Sequence, residues 1–575
     1  MNSQIFHPFV LPFVLGMAFV LTYCVVGLLR VIGQLPKDDR KQFWRSLVTP
    51  KTAWANIRDL FGDCLFHVKI WKRNPVLGYM HTAIAFGWFM IIVVGHVMLF
   101  TLKPLEGVEA EGLARIFPNT YYPIFFKYFA VETPVFAILM DFFLLMVISG
   151  ILIAVVKKIH SKIVGVKRIM HFGFADNMIR FALWTIFPFR LIAEKSNIMA
   201  FWWLYSIDLM VFMFMLPFTR YMHIPTEALF ILLRHAGLKP REPRKGYALA
   251  QIYSCPSCGL CIDACPMSVN DKNSGNTSAY FMKRLRNGDR EEAQRIAETC
   301  MQCGKCVAVC PVSIESCDIK MSQRESVPYQ IHSDHSYLEN VTSETNENAK
   351  VLYFAGCMTQ LTPKIMRAMK QIMEAAGEQY EMMDKDGGVC CGRPMLLSGK
   401  TAEAQAMIAK NTELIKKSGA KRLVLSCPIC YKVFKEEYHV EGVEILHHTQ
   451  YIDELIKQGK LKVDKNDTNY VYHDPCELGR AFGVYEEPRE VLENVGHLCK
   501  AKSEKELSIC CGGSLGSFNL TQQERDEITA NSINDLMFNH PDEIVTACPL
   551  CLKTFARKSP IAVKDIAEVV AGRLQ

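Results

Sequence analysis

Ten of the cysteines after residue 350 write one pattern twice. The first copy is Cys357, Cys390-Cys391-Gly392 and Cys427-Pro428-Ile429-Cys430; the second is Cys476, Cys510-Cys511-Gly512 and Cys548-Pro549-Leu550-Cys551. Matching positions lie 119, 120 and 121 residues apart, which marks an internal duplication. Adjacent Cys-Cys pairs and CxxC turns gather several thiolates around one centre, and soft sulfur ligands select iron–sulfur clusters, zinc or copper(I). Five cysteines per copy exceed the four of a tetrahedral zinc site, which favours iron. A disulfide framework is the competing use of so many thiols. The metal-like spacing, the length of the chain and the cytoplasmic setting argued below stand against it.

A second, independent signature lies upstream. Cys255-x-x-Cys258-x-x-Cys261-x-x-x-Cys265-Pro266 and Cys300-x-x-Cys303-x-x-Cys306-x-x-x-Cys310-Pro311 both match the bacterial two-cluster ferredoxin run. In that arrangement the fourth cysteine of each run ligates the other run's cluster. Cys310 is therefore expected to complete a [4Fe-4S] cubane with Cys255, Cys258 and Cys261, and Cys265 a second cubane with Cys300, Cys303 and Cys306. Between the runs, residues 280–298 read as one or two helices. These sites absorb 18 of the 22 cysteines. Cys24, Cys64, Cys317 and Cys499 remain as structural or incidental thiols, with Cys317 close to the second run.

Elements must carry these ligands and set them in a compartment. The chain has 575 residues, long enough for three or four domains, and is 50% apolar, an excess concentrated before residue 235. Residues 9–31, 78–102, 131–156 and 199–222 are each long enough to cross a bilayer, which needs about 20 residues. Residues 174–192 form a weaker span flanked or interrupted by Arg180 and Arg190. The first span is too long for a signal peptide and lacks a basic leader and a small-residue cleavage site, so it is expected to stay as an anchor. Residues 33–77 carry nine Lys/Arg against four acids, and residues 157–172 carry five Lys/Arg and no acid. Residues 103–130 have three of each sign. By the positive-inside rule the two basic loops, and everything after residue 223, face the cytoplasm. The net charge of +7 needs no nucleic acid as partner, because basic loops against anionic lipid account for it.

Histidines inside such spans are functional candidates. His81 and His96 lie fifteen residues apart on the second span, on roughly the same helix face and about 22 Å apart along the axis, too far to share one haem. Glu132, Asp141 and Asp208 are carboxyls within or at the edge of apolar spans, of the kind that exchange protons with a quinone; Asp141 and Asp208 could instead pair with Arg180 or Arg190.

The ten-cysteine pattern resembles the cysteine-rich CCG-domain family, found in the catalytic subunit of heterodisulfide reductase. Its relatives occur in electron-transfer-flavoprotein:menaquinone oxidoreductases, glycolate oxidase and anaerobic glycerol-3-phosphate dehydrogenase. The resemblance implies a noncubane [4Fe-4S] cluster in each copy, held by Cys357, Cys390, Cys391, Cys427 and Cys430 and by Cys476, Cys510, Cys511, Cys548 and Cys551. The membrane part resembles the five-helix gamma subunit of respiratory nitrate reductase. That likeness implies a haem b between His81 and His223, the latter in Pro217-Phe218-Thr219-Arg220-Tyr221-Met222-His223. Where the family has an outer histidine this chain has Tyr205. Either His96 serves a second haem, with His7 as a candidate partner, or it hydrogen-bonds inside the bundle.

The expected architecture is multidomain. A five-helix transmembrane bundle (1–235) precedes an α-helical two-[4Fe-4S] ferredoxin-like domain (250–320), a polar linker (321–350) and duplicated α/β CCG domains (351–460 and 468–575). Strands at 351–355, 422–426, 470–473 and 543–547 should deliver ligands at their ends, with helices such as 363–376 and 402–417 between them. No GxGxxG after a strand, P-loop or nucleophile elbow occurs, so a flavin or nucleotide would come from a partner. The combined resemblance implies a multi-pass enzyme of a bacterial or archaeal cytoplasmic membrane. It would exchange electrons between menaquinone and a cytoplasmic partner, most closely an electron transfer flavoprotein. A heterodisulfide-type reductase and a non-catalytic electron-carrying anchor of a larger complex are the alternatives.

Overall fold

Among the described residues four helices are long and apolar enough to cross a membrane: Pro8–Gly33, Pro75–Val97, Pro134–Ile159 and Met199–Phe218. They belong to a computed structural model that describes residues 8–101, 125, 134–165, 170, 173–196, 198–269, 271–329, 350–384 and 389–575, leaving aside the side chains of 98–101 and 271–272. His7, Glu132 and most of the 103–130 loop lie outside these residues. The chain divides into a first unit of residues 1–263 with 311–314 and a second of residues 264–310 with 315–575.

Of the five expected spans, four are long and apolar enough among the described residues. Phe174–Ser196 is a 23-residue helix, but it buries Arg180 and Arg190 and so lacks the uniform apolarity of the others. Arg190 ion-pairs with Glu194 at 2.9 Å and donates to the Tyr205 hydroxyl at 3.3 Å. The carboxyls also find partners other than those expected. Asp141 pairs with Lys195, and Asp208 accepts from Thr185 at 2.6 Å, so neither neutralises Arg180 or Arg190. The last span gives way at Met215 to two 3-10 turns, Leu216–Phe218 and Arg220–Met222, because Pro217 cannot continue a helix. A new helix, His223–His235, then starts on the histidine itself.

The second unit holds two four-stranded parallel sheets of the same order. In the first, β1 (Val351–Phe354) lies between β2 (Tyr380–Met382) and β3 (Arg422–Leu425), with β4 (Glu444–His447) outside β3. In the second, β5 (Asn469–His473) lies between β6 (His497–Cys499) and β7 (Glu543–Thr546), with β8 (Ala562–Asp565) outside β7. The four strands expected to deliver cysteines are therefore the two central strands of each sheet. Both faces are covered by helices, including Pro363–Ala375 and Thr401–Ser418, as all-parallel sheets require.

Between the ferredoxin runs there are two helices, Ser278–Asn287 and Arg290–Thr299, separated by Gly288 in the left-handed region and capped by Asp289. Helix Ser316–Ser326 then runs into the stretch expected to be linker. Its register is fixed by Arg324, whose guanidinium is fully buried and donates to the carbonyls of Ala297, Cys300, Leu397 and Gly516 at 2.6–2.9 Å. Gly399, at φ +82°, lets the chain after Leu397 close on the Arg324 carbonyl, which a Cβ there would meet at 2.2 Å. Burial pushes the guanidinium pKa down to about 10, still charged at neutral pH. Arg324→Met would remove the guanidinium donors from four buried carbonyls. The expected loss is roughly 3–5 kcal/mol in anaerobic denaturation of the whole chain, with iron content falling in parallel.

Candidate metal centres and membrane histidines

Each CCG copy sets its ligands at the carboxyl ends of its two central strands. Cys357 follows β1 and Cys427 follows β3; Cys476 follows β5 and Cys548 follows β7. Pro428 and Pro549 each open the helix that carries the second CxxC cysteine, since proline suits the first helical position. The Cys-Cys-Gly corner is held from a following helix, by Asn411 donating to the Cys390 carbonyl and by Thr529 donating to that of Cys511, both at 2.9 Å. Gly512 turns this corner at φ +93°, where a Cβ would lie 2.5 Å from the Thr529 hydroxyl. Arg393 of the first copy and Glu477 of the second form a largely buried ion pair at 2.8 Å that ties the two ligand loops together.

All five thiols of each copy converge. Cys357 is hydrogen-bonded to Cys390, Cys390 to Cys391, Cys391 to Cys430 and Cys430 to Cys427. In the second copy Cys476 meets Cys510, Cys510 meets Cys511, Cys511 meets Cys551 and Cys551 meets Cys548. Two further contacts join these sets to their neighbours. Cys548 is hydrogen-bonded to Cys427 of the first copy, and Cys510 to Cys303 of the second ferredoxin run. The sulfurs thus form an unbroken series from the ferredoxin-like domain through the second copy to the first.

The second cubane set lines one cavity with Cys265, Cys300, Cys303 and Cys306, together with Cys317 and Lys320. Cys317 is hydrogen-bonded to Cys306, so this leftover thiol lies at the cluster site. Lys320 is buried, donates to the Ser278 hydroxyl at 2.9 Å and lies 3.4 Å from the Cys300 sulfur. Burial alone would lower its pKa, yet the cysteines around it, led by Cys300 and Cys306, hold it above the ordinary lysine range. Of the first cubane set, Cys255 and Cys258 lie in the first unit between helix Gly246–Ser254 and helix Leu260–Ala264, and Cys261 lies in the latter helix, with the Lys157 ammonium acting on Cys258. Cys310 belongs to the second unit, just after helix Lys305–Ala308.

The donors present fit iron–sulfur clusters. A second cavity is lined by Cys476, Cys510, Cys511, Cys548 and Cys551 with Gln302. Among the described residues, buried Gln302 Nε2 and Arg480 Nη2 have no protein acceptor. Arg480 acts electrostatically on Cys303, Cys476 and Cys510, and its other nitrogens donate to the carbonyls of Cys303 and Ser508. Orphaned N–H groups beside thiols are what cluster sulfides would satisfy.

In the membrane unit His81 is acted on by His223, Arg220 and Lys157, and its ring lies 5.3 Å from that of His67. His67 escaped the sequence reading because it lies outside the apolar spans, in a left-handed turn after a π-helical segment. His223, His96 and His67 each place Nδ1 against a backbone carbonyl, of Arg220, Ile92 and Leu65 at 2.7, 2.7 and 3.2 Å. A carbonyl accepts only, so Nδ1 carries the proton and Nε2 the lone pair, one of the two tautomers in which a histidine can bind a metal. Glu227, also missed, is buried one turn after His223; burial and then Asp63 push its pKa up to about 8.

Residues 351–435 and 470–556 match the family described as CCG, cysteine-rich domain, and residues 251–314 match the 4Fe-4S dicluster domain. The chain carries two CCG cysteine-rich domains and a 4Fe-4S dicluster domain. It is 31% identical over 252 residues to the EtfAB:quinone oxidoreductase of Syntrophomonas wolfei, covering 40% of this chain and 35% of that one. It is 28% identical over 245 residues to one subunit of the dihydromethanophenazine:CoB–CoM heterodisulfide reductase of Methanosarcina acetivorans, covering 40% and 60%. A protein named probable membrane-anchored ferredoxin from Chromohalobacter salexigens is 29% identical over 248 residues, covering 40% and 36%. The chain thus spans only about a third to two thirds of the length of such curated relatives.

Two outcomes follow for the anaerobically purified protein. Cys391→Ser and Cys511→Ser should each remove one CCG centre, about four iron atoms per chain, and leave the cubane electron-paramagnetic-resonance signals in place. Lys320→Met, read in a redox titration, should move one cubane signal to more negative potential, because a buried positive charge beside its thiolates is gone.

Proposed function

We propose that the protein is a membrane-bound, quinone-linked oxidoreductase that passes electrons between a menaquinone pool and a cytoplasmic electron transfer flavoprotein. The observation that carries this reading is the series of touching sulfurs from Cys303 through Cys510 and Cys548 to Cys427. Two cubanes and two noncubane [4Fe-4S] clusters, when bound, would exchange single electrons along it. The chain's own residues hold the thiols dry, and set Lys320, Arg480 and Arg324 among them as compensating positive charge. The apolar helices, together with relatives named quinone oxidoreductase and membrane-anchored ferredoxin, support the membrane and quinone ends of the path.

The membrane part reads as a haem b site between His81 and His223, with Phe174–Ser196 as the fifth member of the bundle and the cluster domains on the cytoplasmic side. Supporting this are the fixed tautomer of His223 and its action on His81. His96 has the same tautomer and is the candidate ligand for a second haem. Glu227, whose pKa burial pushes up to about 8, is the candidate for proton exchange with quinone near His223. A second reading, reduction of a disulfide substrate at a CCG centre, is favoured by the thiol-lined cavity at the second copy and by the heterodisulfide reductase relatives.

Purified without oxygen, the protein should contain about sixteen iron atoms and matching acid-labile sulfide per chain. It should oxidise a reduced electron transfer flavoprotein with a menaquinone analogue as acceptor, or run the reverse with the menaquinol. Zinc in place of iron would defeat the proposal, and turnover of a disulfide with no flavoprotein added would favour the second reading. His223→Ala should abolish haem b absorbance with iron content nearly unchanged; retained absorbance would refute the His81–His223 assignment.

A further inference from the structure

The duplication lets the two CCG centres be compared position by position, and they are not equal. β1 ends on Phe354 three residues before Cys357, and β5 ends on His473 three residues before Cys476. Their strand registers correspond, Phe354 opposite Leu425 and His473 opposite Thr546. Phe354 is fully buried against the Phe434 ring at 5.1 Å and offers the first centre no polar atom. His473 is also buried, edge-on to Phe555 at 4.7 Å, and its ring nitrogen lies within 4.8 Å of the sulfurs of Cys511 and Cys551. It is hydrogen-bonded to Cys511. Four residues after the first cysteine the second copy has Arg480, acting on Cys476 and Cys510, where the first copy has the exposed Leu361. The first copy's nearby cation, Arg393, is neutralised by Glu477. Asp474 beside His473 is neutralised in turn by both terminal nitrogens of Arg489 at 2.8 Å.

We propose that His473 is a tuning residue that sets the second CCG centre at a higher reduction potential than the first, by donating an imidazole N–H to the Cys511 thiolate. An N–H on a ligand sulfur stabilises the extra negative charge of the reduced cluster more than the oxidised one. The second centre also touches both the ferredoxin run, through Cys510, and the first centre, through Cys548. It is therefore the electron store in mid-path, and the first centre is reduced after it. This inference rests on the iron–sulfur reading above.

The experiment is a redox titration of the full-length anaerobic protein followed by electron paramagnetic resonance, after iron and sulfide have been measured. The CCG signal absent from Cys511→Ser should titrate at higher potential than the one absent from Cys391→Ser. In His473→Phe that signal should move negative while the other three stay in place, and His473→Gln, which keeps an N–H donor, should fall between. If His473→Phe loses the iron of its centre, His473→Gln carries the comparison with wild type, and an unshifted signal there overturns the proposal. Equal or reversed potentials in iron-replete wild type, or an unmoved signal in iron-replete His473→Phe, overturn the proposal alone. Wild type without iron overturns both it and the reading beneath it.

Discussion

Concentrated sulfur held away from water is the constraint on which the second unit is built. Thiolates are stable in a low-dielectric interior only where metal or positive charge offsets them. The chain supplies the protein's share from helices and loops. Lys320 lies beside Cys300, Arg480 among Cys303, Cys476 and Cys510, and Arg324 under the Cys300 carbonyl. Arg324 shows how placement and compensation are combined. Its donors reach the ferredoxin helix end, the first CCG copy and the loop after Gly512, so one buried cation locks three ligand-bearing segments. The same loop is stitched to the ferredoxin segment by Ser514 on the Met301 carbonyl and Ser517 on that of Thr299, both at 2.8 Å.

Strand ends suit this task for a general reason. In an open parallel sheet the carboxyl ends of adjacent central strands diverge into loops that face one place, which is where such folds put their ligands. The duplicated chain uses that place twice and turns the two copies so that Cys427 and Cys548 meet. The symmetric parts, namely the β2-β1-β3-β4 and β6-β5-β7-β8 order, the prolines after Cys427 and Cys548 and the glycines after each Cys-Cys pair, set geometry. The unsymmetric parts, Phe354 against His473 and Leu361 against Arg480, set electrostatics. Geometry is shared by the copies, and potential is where they diverge.

Ligands were legible in the sequence and their environment was not. CxxC turns, Cys-Cys-Gly corners and ferredoxin runs declare themselves by local spacing, and the four cysteine-bearing strands appear within a residue of where their apolar runs end. Lys320, Arg324, His473 and Arg480 have no such spacing, because each acts on atoms far away in sequence. Arg324 even lies in a polar stretch that composition alone marks as linker; only the four carbonyls around it explain why the helix continues. The membrane unit shows the same limit. Apolar length located the spans, but not that Asp141 would pair with Lys195 and Asp208 with Thr185. Nor could it find His67, which reaches the His81 ring from outside any span.

That last pair bears on how charge enters the path. A histidine whose Nδ1 donates to a backbone carbonyl carries its lone pair on Nε2, and a break in the helix nearby leaves carbonyls that can fix Nδ1. His223 opens a helix directly after two 3-10 turns and uses the Arg220 carbonyl; His67 follows a π-helical segment and uses that of Leu65. Irregular backbone therefore precedes both histidines that act on His81. Within the same unit Lys157, at the end of its span, acts both on His81 and on Cys258 of the first ferredoxin run. Through Lys157 the His81 ring and Cys258 of the first ferredoxin run are thus linked within one unit, beside the break in helical regularity that precedes His223.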